Sequence, residues 1–507
     1  MRPEEKEKII FVITVIVLVL TITFTHVIGY LSANKEYYYQ GNQPIRVGDL
    51  LGHFSFIIQA AEGKLLFKNL YNPAEQRALF FHPLWLLMGL VVKFFQLNTL
   101  LVYQFFKVVL AGLFCLTLRK FLKDFFDLNQ QPWLLPFCVF SGGFFSWLIE
   151  KDTFTNLYYS PLFALALVLF IIIYRAVLKY FATQKNSQLA AIFFFSLLLF
   201  LVHFYDLVSL LAVIFSWCVY EFIITPKANC FKPALFCFLA AAVGGIYYFY
   251  IFSAEPVLSR WAVNNYTLLP GWRFFLNGYG LILPLAVLGA IYKRKEKKII
   301  YLILWCLTSV VLIFSPIQFN RRLILGLSIP LTILAYWGVK FILDRFKIRL
   351  VRIISAVIIV SFLVSNNIFL IALDLDVIIH YGRPQYLKRN YQEMFVWLKD
   401  NLPEGSVIFA NLIYWDTQIS GSTGLVSYLA GGYYTSFEEN YEKIRWFFKN
   451  NEQSRAKEDF LRQNKIDYLL FSDVEKRLGV FDPSDKDYLK LVYKNQDAEI
   501  FKVRDKK

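Results

Sequence analysis

The chain has 507 residues, 57% of them hydrophobic, 19% aromatic and 18% charged, and its mean hydropathy of +0.48 takes it out of the soluble globular class. A net charge of +16 raises nucleic acid as a partner, but from Tyr381 onward 20 Lys and Arg face 19 Asp and Glu, leaving 33 against 18 before that point. The excess sits in short loops between apolar segments, which is the positive-inside pattern of a membrane protein and gives nucleic acid no place.

A hydrocarbon core of about 30 Å needs about 20 apolar residues per helix. In chain order such segments begin near Ile9, Leu79, Thr99, Pro132, Ser160, Leu189, Leu207, Pro233, Leu276, Ile299, Leu323 and Leu350. The first is too long for a signal-peptide core and lacks a small-residue cleavage site, so it reads as a retained helix. Basic clusters at Arg119/Lys120/Lys123, Arg175/Lys179/Lys185, Lys227/Lys232, Lys293–Lys298 and Arg345–Arg352 fall in alternate loops. They are expected on the cytoplasmic side together with the N-terminus, which places the C-terminal end outside.

An inside start and an outside end require an odd number of crossings, so one of the twelve segments does not cross. The segment 79–97, which opens with His82-Pro83 and carries Lys93, is expected to be re-entrant or interfacial. The fold class is then a polytopic α-helical membrane protein of about eleven spans. Residues 1–380 form the membrane domain with a long first outer loop, 32–78, and 381–507 form an extracytoplasmic α/β domain. The setting is the plasma membrane of the cell. All six cysteines precede residue 381 and sit in apolar segments or a short basic loop; they read as small hydrophobes, with no disulfide framework.

Four groups of residues break the membrane pattern. Asp49 follows Gly48 at the head of an apolar stretch interrupted by His53 and Gln59, which suggests an amphipathic helix lying on the membrane. It is either an N-cap or a carboxylate placed to take a proton from an acceptor hydroxyl. Arg321 and Arg322 stand at the outer end of a helix, where positive charge is disfavoured; one snorkelling arginine is ordinary, but two in succession suit a bound phosphate. His203 and Asp206, with Tyr205 between them, occupy a tight outer turn, either as a self-satisfied pair or as substrate contacts. Glu150, Lys151 and Asp152 follow a Gly-Gly-containing segment and read as a solvated loop or as a second acidic cluster. Asp374 and Asp376 form a D-x-D that is set aside as a chance match where a helix leaves the membrane. His26 and His82 lack partners at metal-ligand spacing, and no Walker loop, dinucleotide fingerprint, nucleophile elbow or H-E-x-x-H occurs.

From about Tyr386 the pattern is helix (YLKRNYQEMFVWLKDN), turn (LPEG), strand (SVIFAN), a Gly/Ser/Thr-rich stretch, two helices (FEENYEKIRWFFKNN, EQSRAKEDFLRQNK) and strands IDYLLFS and AEIFKV. This is a small α/β sandwich large enough for its own core. Asn411, Trp415, Glu438, Glu475 and Arg477 are its candidate contact residues.

The layout resembles the GT-C class of integral membrane glycosyltransferases, which includes protein mannosyltransferases and aminoarabinose transferases. The likeness lies in a single N-terminal span, a long outer loop with Gly48-Asp49, His82-Pro83 opening FFHPLWLLMGLVVKF, and FNRRLILGL before a late span. A C-terminal module with WLKDNLPEGSVIFA, IDYLLFSDVEKR and LVYKNQDAEIFKV completes it. The resemblance implies a polyprenyl- or dolichyl-phosphate sugar donor in the bilayer, and a glycan, lipid or protein acceptor. It assigns Asp49 as general base and Arg321 and Arg322 to the leaving phosphate, with inversion at the anomeric carbon. His53, His82, Glu150, Asp152, His203 and Asp206 are further candidate substrate contacts. The acidic pair that follows the first-loop Asp in some members has no aligned counterpart here. Glu150 and Asp152 are its candidates, and a role for a divalent metal stays open. The rival readings are a transporter or flippase of a lipid-linked glycan and a non-catalytic membrane-anchored binding protein.

Overall fold

A computed structural model describes residues 2–43, 49–144, 149–264, 266–415, 417–428 and 437–504; Gly48 and the side chain of Glu438 lie outside the described set. In chain order the elements are α1 (Pro3–Leu31), β1 (Tyr37–Tyr39), α2 (Asp49–Ala61), α3 (Pro83–Phe95), α4 (Thr99–Phe125), α5 (Leu134–Phe140), α6 (Thr153–Tyr159), α7 (Pro161–Thr183), α8 (Asn186–His203), α9 (Asp206–Ile224) and α10 (Lys232–Ala254). There follow α11 (Pro256–Asn264), α12 (Trp272–Tyr279), α13 (Ile282–Lys293), α14 (Lys297–Ile313), α15 (Ser328–Leu343), α16 (Arg349–Ile379), β2 (Tyr386–Lys388), α17 (Arg389–Asn401), β3 (Val407–Phe409), α18 (Leu412–Trp415) and α19 (Gln418–Thr423). The chain ends with β4 (Val426–Ser427), α20 (Phe437–Lys449), α21 (Ser454–Gln463), β5 (Tyr468–Ser472), α22 (Asp473–Lys476), β6 (Leu489–Lys494) and β7 (Ala498–Val503).

By length and composition, seven of these helices can cross a membrane: α1, α4, α7, α8, α9, α16 and the run 228–254 that ends in α10. Helices are the form such segments must take, because lipid leaves no partner for an open backbone group. The protein is a multi-pass membrane protein. The other apolar segments take different forms, and the one expected not to cross is short. α3 has 13 residues, is capped by His82 through Nδ1 and ends at a left-handed Gln96, so at about 1.5 Å per residue it is too short to cross. The segment from Pro132 is not a single spanning helix, which corrects that expectation. α5 ends after 7 residues, and the amides of Gly142 and Gly143 turn instead to Leu363 O on α16. Gly143 has a φ of +71°, and a Cβ there would stand 2.8 Å from Tyr279 O, so only glycine permits this crossing. α12 and α13 form one apolar run bent by 74°.

Contact density divides the chain into two compact units. Unit 1 holds Met1–Val27, Tyr103–Tyr248 and Tyr266–Leu375; unit 2 holds Ile28–Val102, Phe249–Asn265 and Asp376–Lys507. Within unit 1, α13 and α15 pack backbone to backbone through Gly289 and Gly338: a Cβ on Gly289 would lie 2.8 Å from Gly338 N. Small residues at a helix interface are the usual means of close approach in lipid.

The basic loops of unit 1 gather at one end. Glu7 of α1 receives Arg119 of α4 at 2.6 Å and Lys123 at 3.6 Å; Asp124 pairs with Arg175 of α7, and Glu221 at the end of α9 pairs with Lys297 of α14 at 2.8 Å. The loops that hold Glu150, His203–Asp206 and Arg321–Arg322 are at the opposite ends of the same helices.

Unit 2 is built on a five-stranded sheet of order β4-β3-β5-β7-β6, with β3 parallel to β4 and β5 and β7 antiparallel to β5 and β6. Strand β6 (LKLVYK) is an addition to the expected pattern; its exposed and half-buried residues leave no clean hydrophobic alternation to read. The loop expected outside, 32–78, belongs to this unit. β1 pairs antiparallel with β2, Tyr37 opposite Lys388, and Tyr71 sits fully buried in the core with Phe409, Phe447 and Leu469. Helix α2 does not lie on the membrane as expected: Leu50, Leu51, Phe54, Phe56, Ile57, Ile58 and Ala60 are all buried. A helix that is apolar on nearly every face is covered by protein rather than spread on an interface.

Candidate functional site

Each unit carries a polar group of its own. In unit 1 three of the sequence exceptions come together. The α8–α9 turn is only Phe204 and Tyr205 long, so His203, Tyr205 and Asp206 are fixed by two helix ends. His203 Nδ1 lies 2.9 Å from Asp206 Oδ2, with Asp206 fully buried. The Arg322 guanidinium is 4.4 Å above the Tyr205 ring, and its Nε donates to Thr267 Oγ1 at 3.1 Å. Arg321 reaches Glu150 Oε1 at 3.5 Å. The Asp206 carboxylate feels the charges of His203, Arg322 and Glu150. Two arginines, two carboxylates and an imidazole are thus linked through neighbouring contacts. The second oxygen of Glu150, in a side chain 6% exposed, has no hydrogen-bond partner among the described residues.

Lys151 and Asp152, adjacent to Glu150, are structural. The Lys151 ammonium donates to the carbonyls of Gly142 and Phe144 at 2.6 Å and of Gly278 at 2.9 Å. Asp152 caps α6 by accepting from Thr155 N at 2.8 Å and Oγ1 at 2.7 Å, and it takes Asn366 Nδ2 at 3.1 Å. Neither a solvated loop nor an open acidic pair describes this segment: all three side chains are buried, and Lys151 and Asp152 are taken up by carbonyls and a helix start. The D-x-D likewise separates: Asp374 is buried and receives Tyr158 OH at 2.5 Å, while Asp376 is exposed beside His380 at 3.3 Å.

In unit 2 Asp49 is the first residue of α2, and His53 follows on the same helix face one turn later. Trp85 of α3 stacks on His53 at 4.4 Å and on His82 at 4.7 Å; His82 Nδ1 accepts from Trp85 N at 3.3 Å. The structure therefore joins His53 and His82 through an indole that the sequence reading passed over. Trp85 stands three residues after a capping His and could have been found from that spacing. Thr267 carried no signal, since its partner is 55 residues away. Lys107, fully buried inside α4, was legible as an intramembrane charge and was missed. Among the described residues no three His, Cys, Asp or Glu side chains are grouped as a metal ion requires.

The candidate contacts of the C-terminal region are mostly structural. Glu475 is fully buried, which pushes its carboxyl up. It accepts from Asn411 N at 2.8 Å, Trp415 Nε1 at 3.0 Å and Ser472 N at 2.9 Å. Asn411, Trp415 and Glu475 are thereby a knot beneath β5, and Arg477 is an exposed partner of Asp473 at 3.5 Å.

No protein-family model matches the chain, and no curated protein matches it in sequence. Solved structures do. The Archaeoglobus fulgidus oligosaccharyltransferase in its apo form aligns with a TM-score of 0.57 at 11% identity, over 91% of this chain and 69% of that one. The same enzyme tethered to an acceptor peptide containing the NVT sequon gives 0.55 at 11% identity. Archaeal AglB of that organism with an inhibitory peptide and a dolichol-phosphate gives 0.54 at 12% identity; both cover the same shares of the two chains. At such identity the likeness is one of fold: this chain shares the fold of the archaeal oligosaccharyltransferase over 91% of its length.

Proposed function

We propose that the chain is an inverting membrane glycosyltransferase that moves a sugar from a polyprenyl-phosphate donor to an acceptor on the extracytoplasmic face of the cell membrane. The observation that carries this reading is the cluster of Arg321, Arg322, Glu150, His203 and Asp206 at the end of unit 1 away from the basic loops. Guanidinium groups there suit a phosphate whose lipid tail stays in the bilayer, and the GT-C fold supplies the setting. Arg321 and Arg322 hold the donor phosphate, and Asp49 is the general base. The acceptor gives its proton to Asp49 and its oxygen or nitrogen attacks the anomeric carbon from the side opposite the phosphate. The bond from that carbon to the phosphate oxygen breaks, and its electron pair leaves with the lipid phosphate. His53, His82, Glu150, His203 and Asp206 serve as further substrate contacts. That the archaeal neighbours are described with an acceptor peptide and with dolichol-phosphate favours a peptide acceptor and a polyprenyl-phosphate leaving group.

The test is transfer by the purified protein in liposomes from radiolabelled polyprenyl-phosphate sugars. Labelled acceptor is the expected product. No transfer with any donor, alongside movement of a lipid-linked glycan between leaflets, assigns the chain to the flippases instead.

In this reading the N-terminus is cytoplasmic and the C-terminal region outside. Eleven crossings then require the bent pair α12–α13, α14, α15 and the α5 segment to cross as well. A Val480→Cys variant tests the orientation, because Val480 is 75% exposed and none of the native cysteines is. It is expected to react with an impermeant maleimide in whole cells; reaction only after lysis reverses the topology.

A further inference from the structure

The role of the C-terminal region is open once Asn411, Trp415 and Glu475 form a buried knot. α19 belongs to that region and carries Gly421. A Cβ on Gly421 would stand 2.7 Å from Leu51 Cβ and closer still to the Leu51 carbonyl oxygen. Leu51 is two residues from Asp49, in the first turn of α2. On the far side, a Cβ on Gly89 of α3 would stand 2.7 Å from Ile57 O. α2 is thus held between two glycines, one at each end, against backbone atoms and Cβ atoms that move only with the backbone.

Further bonds fix the same place. Leu51 O accepts Tyr71 OH at 3.3 Å, and Tyr71 is anchored in the sheet core. Leu70 O accepts Ser420 Oγ at 3.0 Å and Ser427 N at 2.8 Å. Gly424, with a φ of +80° that favours glycine, sets its Cα against Ile58 and Glu62 of α2.

We infer that the C-terminal region positions Asp49: α19 is a backstop that sets the depth of the first turn of α2, and Gly421 is a positioning residue for the base. The inference rests on the base assignment above. It follows from what a proton acceptor needs, since a shift of about 1 Å at a reacting group costs about 100-fold in rate, and a site is held to tolerance only by the packing behind it.

The test is kinetic, on the full-length protein. Gly421→Val is expected to lower kcat about 100-fold while leaving donor KM unchanged, and Gly421→Ala to fall between Val and wild type. A defect that works through Asp49 is not additive with its loss, so Asp49→Asn combined with Gly421→Val is expected to be no slower than Asp49→Asn alone. A general folding defect multiplies instead, and that result overturns the inference. Gly112→Ala, where a Cβ meets nothing within 4 Å, is the control. If Gly421→Val yields no folded protein, Tyr71→Phe and Gly421→Ala read the same comparison, and unaltered kcat in both overturns it. An unchanged rate in Asp49→Asn removes the base assignment; loss there with normal Gly421→Val and Tyr71→Phe removes only the positioning role.

Discussion

Asp49→Asn is expected to lower kcat for sugar transfer by about 100-fold or more, the range a positioned general base contributes, with donor KM and thermal midpoint close to wild type. The substitution separates the two readings that the sequence left standing. Asn serves a helix start about as well as Asp, and as the first residue of α2 the charge adds about 0.3–1 kcal/mol through the helix dipole. A residue kept for the helix alone therefore loses almost nothing on becoming Asn. A residue kept for its basicity loses its function, because a carboxamide cannot take the acceptor's proton. Size and shape are retained, so crowding is not in play. Donor KM holds because the phosphate is gripped by other side chains. The measurement is initial rate against donor and acceptor concentration, with a melting curve on the same preparations. A kcat within a few fold of wild type would exclude Asp49 as the base.

The sequence made some parts of this molecule plain and hid others, for reasons that can be named. Long apolar runs announced α1, α4, α7–α10 and α16, because a helix satisfies its own backbone in lipid and no competing signal is stronger. The same rule misled at Pro132, where hydropathy counts residues but not backbone path. Gly142 and Gly143 turn the chain against α16, and their partner Leu363 lies 221 and 220 residues further along the chain. Arg321 and Arg322 were visible because charge on the wrong side of a membrane is costly, and Glu150 because it belonged to a charged triplet. The sequence could not say that Lys151 and Asp152 are consumed by carbonyls and a helix start while Glu150 is not. That distinction depends on Gly278 and Asn366, which meet the triplet only after folding. α2 was read as amphipathic from its own residues, whereas its burial comes from α3 and α19, elements drawn from distant stretches of the chain.

Removing the Arg322 guanidinium is expected to raise donor KM by roughly 10- to 100-fold, as losing a charge-assisted bond of about 1.5–3 kcal/mol requires, and to lower kcat as well, because charge grows on the phosphate as the sugar departs. Arg322 is expected to matter more than Arg321. Its plane is set from two directions, by the Tyr205 ring at 4.4 Å and by Thr267 Oγ1 at 3.1 Å. Arg321 is held by Glu150 at 3.5 Å, an attraction that opposes any shift toward a phosphate. Lysine is not expected to rescue position 322, since an ammonium has no plane to stack on Tyr205 and no fork to present to phosphate oxygens. Tyr205→Leu is expected to reproduce a part of the loss, about 3- to 30-fold, because a cation over an aromatic face is worth about 0.5–2 kcal/mol. Binding of polyprenyl phosphate against polyprenol, measured on the same variants, isolates the phosphate contribution from the chemistry. Wild type is expected to prefer the phosphate and Arg322→Ala to bind both lipids alike. An unaltered preference in the Arg321→Ala/Arg322→Ala double variant would remove the arginines from the donor site. It would also leave the cluster with Glu150, His203 and Asp206 to be explained by packing alone, a costly arrangement for a buried Glu150 oxygen that has no partner among the described residues.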